Sequence, residues 1–242
     1  MSGWYKTWFD SEYYHILYKD RDDNEARQFI DNLINYYSIS AGEKVLDLAC
    51  GKGRHSVYLN QKGLDVVGVD LSNKSIAYAK QNENPTLKFQ VHDMRETLRE
   101  NTFDYVLSFF TSFGYFDDQE DDRKVINSVY DSLTVDGYYV IDFMNTNRII
   151  KSFKESELKE IDTIKFEITR SVNNGFITKQ INFDHKAQDY QFEEKVRAYK
   201  LVDFELIFDN KFKIINTFGN YELQDFDEDT SNRLIIIAQK LN

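Results

Sequence analysis

Cysteine and proline occur once each in this chain of 242 residues, as Cys50 and Pro85. A single cysteine excludes an internal disulfide and fits a reducing compartment. No run of about 18 apolar residues occurs, so no spanning helix is expected, and the N-terminus has no apolar signal core. The expectation is a soluble, cytoplasmic chain without a membrane partner. Basic residues are outnumbered: 30 Lys and Arg face 41 Asp and Glu, a formal net charge of −11. That balance argues against nucleic acid, which needs a basic footprint for its phosphates. His15, His55, His92 and His185 have no metal-ligand spacing, and no metal site is expected.

Aromatic side chains are abundant, at 15% of the chain. They crowd the N-terminus, from Trp4-Tyr5 through Trp8-Phe9 to Tyr13-Tyr14 and Tyr18. Such density does not belong to a disordered tail; it reads as surface packing or as a lid over a ligand. Apolar residues at helical spacing from Ala26 to Tyr37 then predict an amphipathic helix.

The chain is organised around Lys44 to Ser56. Val45 to Leu48 is an apolar run suited to a strand buried on both faces. It ends in a turn with Gly51 and Gly53, where bare backbone can approach a ligand. A helix follows to Gln61, closed by Lys62-Gly63. Strand, turn and helix together would offer backbone N–H groups to a polar ligand. A second strand, Asp65 to Asp70, ends on an acid, and Ser72 is placed to cap a helix over Ser75 to Gln81. Pro85 precedes a third strand, Leu87 to Val91, which runs into His92-Asp93-Met94.

Phe103 to Phe109 is a fourth strand. The charge run Asp117 to Asp122 reads as a solvated lead-in to a helix with Val125, Ile126, Val129 and Tyr130 inside. Val135-Asp136-Gly137 turns into a fifth strand, Tyr138 to Asn145. Alternating strands and helices predict a parallel sheet covered on both faces. After about residue 150 the pattern becomes antiparallel: Ile164 to Val172 and Gly175 to Phe183 flank the hairpin signal Asn173-Asn174-Gly175, and Tyr190 to Leu201 follows. A short helix, Val202 to Phe208, precedes two last strands, Phe212 to Phe218 and Arg233 to Gln239. The expected fold is α/β: a Rossmann-like, doubly wound, seven-stranded and mostly parallel sheet with a C-terminal antiparallel hairpin and a small antiparallel insertion. Residues 1–150 would carry lid helices and core, 151–201 the insertion as a substrate cap, and 202–242 the elements completing the core sheet.

Asp47, just ahead of the glycines, would repel a pyrophosphate and welcome a cation. This charge points towards S-adenosylmethionine, whose amino group and sulfonium are positive, and away from a dinucleotide. Taken with Gly68-Val69-Asp70-Leu71-Ser72, His92-Asp93-Met94, Phe103-Asp104-Tyr105-Val106, Ser112 to Phe116 and Leu133 to Tyr139, the stretch 45–55 resembles the class I S-adenosylmethionine-dependent methyltransferases. The likeness is to the bacterial small-molecule type with a β-rich insertion. It implies that Asp47, with the backbone at Ala49 and Gly51, faces the methionine end of the cofactor, while Asp70 accepts the ribose hydroxyls. Leu71 and Met94 would flank the adenine, Asp93 would receive its amino group, and Phe109 would lie near the reactive methyl. Gly53, Tyr14 and Arg21 complete the implied cofactor set. Tyr18, Tyr115, Asn145 and Arg197 are the substrate-side candidates, Arg197 suiting a carboxylate-bearing acceptor. Arg54-His55 replaces a further glycine, and Asp136-Gly137 stands for the usual pair of glycines.

The resemblance implies methyl transfer to a small-molecule acceptor by in-line displacement, driven by proximity and leaving S-adenosylhomocysteine. The residues name no general base, acceptor atom or oligomeric state. Two other readings stay open: an NAD(P)-dependent oxidoreductase, from Gly51-x-Gly53-x-x-Ser56, and a non-catalytic cofactor-binding module.

Overall fold

The computed structural model describes residues 3–19, 23–152 and 154–242. Two short helices, α1 (Trp4–Trp8) and α2 (Glu12–Leu17), precede α3 (Asp23–Tyr37). The alternating part comprises β1 (Lys44–Leu48), α4 (Arg54–Gln61), β2 (Asp65–Asp70), α5 (Asn73–Ala79), β3 (Leu87–Val91), β4 (Phe103–Ser108), α6 (Gln119–Ser132), β5 (Leu133–Met144) and α7 (Thr146–Ser152). Four strands follow: β6 (Ser156–Ile161), β7 (Ile164–Asn173), β8 (Phe176–His185) and β9 (Gln188–Arg197). Helix α8 (Leu201–Phe208) returns the chain to β10 (Phe212–Phe218) and β11 (Arg233–Lys240).

The seven-stranded sheet runs β10-β11-β5-β4-β1-β2-β3, and the strands of the insertion form a separate sheet, β6-β7-β8-β9. Strands β1 to β5 pair in parallel, whereas β11 is antiparallel to both β5 and β10. Strand order reverses where β1 meets β4, and in open α/β sheets ligands bind beyond the carboxyl ends at such a point. The chemistry of the local sequence explains the elements. Leu46, Leu48, Val67 and Val69 bury one face of the central strands while Val45 and Val66 bury the other. Ser72 does cap α5, accepting from the Ser75 N–H at 3.0 Å.

The aromatic N-terminus packs on the smaller sheet. Trp8, Tyr13 and Leu17 are buried against Ile164, Phe166, Ile181 and Phe183. Each such side chain contributes roughly 1.5–3 kcal/mol of apolar burial, enough to hold two helices too short to persist alone. Among the described residues no helix is long and apolar enough to cross a membrane.

Two expectations need correction, and one strand was not foreseen. The Val135-Asp136-Gly137 turn lies inside β5: Leu133 already pairs with Phe103, Asp136 is left-handed (φ 62°), and the register shifts before Tyr138. The ladder absorbs the extra residues as an irregularity. Strand β6, for which no expectation was set, alternates in exposure, but its sequence hides this: apolar Leu158 lies on the exposed face, while Glu157 and Lys159 share the covered face with buried Ile161. The charge run before α6 is not wholly solvated, since Asp122 is fully buried. It stands one helical step before Val125, Ile126 and Val129 and shares their inward face.

Gly68, in the middle of β2, tests how tightly these layers fit. A Cβ there would lie 2.7 Å from the Phe89 ring and 2.8 Å from Ser56 Oγ. Gly68→Ala is expected to cost about 1–3 kcal/mol of overpacking, read as a lowered urea midpoint; an unchanged midpoint would show that the layers yield freely.

Candidate active site

The glycine turn is tight. Ala49 and Gly51 are both left-handed, at φ 57° and 55°, and Gly53 caps α4 at φ 81°. The two glycines do different things. A Cβ on Gly51 would meet nothing within 4 Å, so that side of the turn is open to a ligand. A Cβ on Gly53 would come within 2.6 Å of the Phe89 ring and 3.1 Å of Ala79, so Gly53 lets the turn pack down on β3 and α5. The N–H groups expected to be free are in part engaged: Gly51 N donates to Asp70 Oδ2 at 2.9 Å, and Gly53 N to the Cys50 carbonyl at 2.9 Å.

Asp70 therefore ties the turn after β1 to the chain after β2, because its Oδ1 also accepts from Ser72 N at 2.8 Å. Burial pushes its carboxyl above the usual range; the two backbone bonds oppose that shift, and the nearby charge of Asp10 adds to it. Asp47 lies under the turn, fully buried, and accepts from Ser56 Oγ at 2.6 Å. Burial pushes it up to about 7, against the pull of the Ser56 bonds and Arg54 and with the help of Asp70's charge.

A cavity of about 370 Å³ opens beside Asp70. Ala49, Leu71, Met94, Tyr115 and Phe116 line it from the core, and Tyr5, Phe9 and Asp10 from the lid segment. The lid is fastened on several sides. Asp10 accepts from the Ser72 hydroxyl. Phe9 and Tyr5 meet Tyr115 and Phe116 with ring centroids 5.5 and 5.9 Å apart. Trp8 Nε1 and the Tyr18 hydroxyl both donate to Glu194 on β9 at 2.7 Å.

Asp93 flanks the cavity between His92 and Met94. Arg95 engages both its oxygens, at 3.0 and 2.6 Å. Burial works against it, but the Arg95 hydrogen bonds and charge hold the Asp93 carboxyl below its ordinary value. Arg95 also donates to Asp121 at 2.8 Å and lies over the Phe116 ring at 4.9 Å.

The remaining expected residues scatter. Tyr115 is on the cavity wall, its hydroxyl donating to the Thr111 carbonyl. Phe109 is buried between Phe29 and His55 rather than on that wall. Tyr14 packs against Trp8 and Phe9 inside the lid, and Tyr18 is drawn to Glu194. Asn145 donates to the carbonyls of Glu228 and Ser231 at 3.0 and 2.9 Å, fastening a loop. Arg197 forms an ion pair with buried Asp122 at 3.0 Å, so the carboxylate it was expected to meet on an acceptor is supplied by the protein. Arg21 lies outside the described residues.

Sequence reasoning missed a second carboxylate centre. Asp142 is fully buried at the end of β5, where it accepts from Phe110 N (2.8 Å), Tyr221 (3.0 Å) and Arg233 Nε (2.7 Å). It holds the left-handed pair Phe110-Thr111, at φ 56° and 61°, directly after β4. The available signal was an acid inside the apolar run Val140 to Met144. Asp10 was missed because one acid on an aromatic segment carries no spacing of its own. Among the described residues no group of three or more His, Cys, Asp or Glu could hold a metal.

Comparison with known proteins fits this geometry. A family model described as a methyltransferase domain matches residues 45–137. The putative methyltransferase YqeM of Bacillus subtilis is 32% identical over 182 residues, covering 67% of this chain and 74% of its own. The glycine/sarcosine N-methyltransferase of Aphanothece halophytica is 27% identical across 99% of this chain and 89% of its own. An S-adenosylmethionine-dependent methyltransferase structure from Clostridium acetobutylicum superposes with a TM-score of 0.79 at 20% identity, over 95% of this chain and 96% of that one. The chain belongs to the class I S-adenosylmethionine-dependent methyltransferases.

Proposed function

We propose that this methyltransferase acts on a small-molecule acceptor held between the lid, the insertion and the carboxyl ends of the central strands. The observation that carries the reading is the cavity beside Asp70, walled on one side by the lid and on the other by Leu71, Met94 and Tyr115. Its residues fit S-adenosylmethionine. Asp70 has lone pairs left after its two backbone bonds, enough for a pair of ribose hydroxyls. Met94, Leu71 and Phe116 offer apolar faces to a purine, and Asp93 can still accept from an amino group while paired with Arg95. Asp47, protonated in the unliganded chain up to about pH 7, would ionise beneath the turn when the cofactor's amino group brings positive charge beside it. The bound cofactor supplies a methyl group on a positive sulfur. The chain's own contribution is alignment of the acceptor and exclusion of water.

The dinucleotide reading is disfavoured by the same geometry. A pyrophosphate would need the Gly51 N–H, which Asp70 holds, and would face the carboxylates of Asp70 and Asp10. For the acceptor, the similar N-methyltransferase takes glycine and sarcosine by name, which supports an amine nitrogen as the first class to examine. Residues 151–201 would then cap the acceptor, since β9 anchors the lid through Glu194.

Incubation with methyl-labelled cofactor and a panel of small amines, alongside a deproteinised metabolite extract, should place label in a small product; label in none of them would contradict the reading. Asp70→Asn should weaken S-adenosylhomocysteine binding about 10- to 100-fold by calorimetry, because hydrogen bonds to a charged acceptor are worth roughly 1.5–3 kcal/mol. An unchanged affinity would remove Asp70 from the site.

Asp47 makes a pH-dependent prediction. The folded chain keeps its proton up to about pH 7, whereas the unfolded chain releases it near the ordinary value of 3.8. The unliganded protein therefore loses stability from this group as pH rises from about 4 to about 7. Asp122, pushed up to about 6 by burial, acts in the same direction. Asp47→Asn should gain stability relative to the parent between pH 5 and pH 8 in urea titrations. A constant difference across that window would contradict the placement of Asp47.

A further inference from the structure

Two adjacent carboxylates on the first turn of α6 grip different parts of the molecule. Asp121 takes Arg95, which also holds Asp93 and covers Phe116, both beside the cofactor cavity. Asp122 points inward and takes the last residues of the insertion: Arg197 Nε stands 3.0 Å from its Oδ2, and the Tyr199 hydroxyl donates to the same oxygen at 2.8 Å. Arg197 Nε is off the hydrogen-bonding angle and Asp122 Oδ1 has no partner among the described residues, so charge, more than a saturated hydrogen-bond set, joins the pair. With Asp122 fully buried, replacing either partner would leave a charge without compensation.

The same two insertion residues cradle the segment after β4. Arg197 N donates to the Gly114 carbonyl at 2.8 Å, and its guanidinium donates to the Asp117 carbonyl at 2.5 Å. Gly114 is left-handed at φ 83°, and a Cβ there would lie 3.5 Å from Arg197 Cβ. Tyr199 meets Phe113 with ring centroids 6.0 Å apart. Between these attachment points, at 113, 114 and 117, lie Tyr115 and Phe116, two walls of the cavity.

We infer that Asp122 and Arg197 are positioning residues: they set the 113–117 wall and gear the four-stranded sheet to the state of the cofactor cavity. Arg197 thus acts on the reaction through this wall and not by contacting an acceptor. The inference rests on the reading of that cavity as the cofactor site. A ligand that orders Tyr115 and Phe116 must also order the strand end bonded to both sides of them, and Asp121 with Arg95 couples the adenine-side wall to the same turn of α6.

Hydrogen exchange with and without S-adenosylhomocysteine, together with calorimetry, tests this without needing an acceptor. In the parent protein the ligand should slow exchange over residues 113–117 and 195–199 together. Asp122→Asn and Arg197→Met should each bind the ligand about tenfold more weakly and lose the ligand response at 195–199. The double variant should be no weaker than the worse single. Tyr199→Phe, which removes one hydroxyl and is the milder change should either variant fail to fold, should give a loss of about threefold. Arg197→Lys should recover part of the affinity lost in Arg197→Met. Protection confined to 113–117 in the parent, additive losses in the double variant, or a lowered melting temperature with unchanged affinity in all variants would each overturn the inference. Absence of any ligand heat with the parent would instead overturn the cofactor reading on which it rests.

Discussion

The carboxylate of Asp70 is the fixed point of this molecule. One oxygen holds the glycine turn after β1 and the other holds the chain entering α5, so two strand ends are locked in register by a single half-buried side chain. The arrangement has an electrostatic consequence. Asp47 lies beneath the same turn and Asp10 closes over it from the lid; the charge of Asp70 raises the cost of ionising Asp47, and that of Asp10 raises the cost of ionising Asp70. Like charges gathered in a partly buried site favour a ligand that brings positive charge and hydrogen-bond donors. A sulfonium cofactor with an amino group and a ribose diol brings both, and a pyrophosphate brings neither.

Around this point the fold repeats one device: an acid at or just past the end of a buried strand, satisfied in a different way each time. Asp47 takes a serine hydroxyl, Asp70 two backbone amides, Asp93 an arginine, and Asp142 an amide, a tyrosine and an arginine. Asp142 stabilises two consecutive left-handed residues, each an uncommon conformation for a side-chain-bearing residue. Asp70 lines the cavity, Asp47 lies beneath the turn beside it, Asp93 sits between two cavity residues, and Asp142 shapes the segment after β4. The lid follows the same economy, with Asp10 and Glu194 fastening it to the core and to the insertion.

Much of the sheet was legible because it is written in local terms. The apolar runs at Val45, Val66 and Leu87 are bounded by glycine, serine and proline, and Asn174-Gly175 announces one of three two-residue hairpins through its need for left-handed backbone; Asp162-Thr163 and Lys186-Ala187 make the other two without a glycine to mark them. Asp70 was legible as a cavity residue from its place at a strand end, and Leu71 and Met94 through the resemblance to the methyltransferases. What escaped depends on distant partners. Arg197 reads as a free cation on an exposed strand until Asp122 is seen beneath it, and Asp122 reads as part of a charged run until its place on the apolar stripe of α6 is counted. Asn145 reads as a polar group at a strand end, and only the folded loop at 228–231 shows that its amide is consumed. Gly53 and Gly51 look equivalent in sequence; Phe89, more than thirty positions away, separates their roles.

The acids around the glycine turn would then select a cationic methyl donor over a dinucleotide. Calorimetric titration of the intact chain with S-adenosylhomocysteine and, separately, with NAD tests it most directly. S-adenosylhomocysteine should bind one-to-one and be displaced by S-adenosylmethionine, and NAD should give no heat. Saturable NAD binding that S-adenosylhomocysteine fails to displace would contradict it.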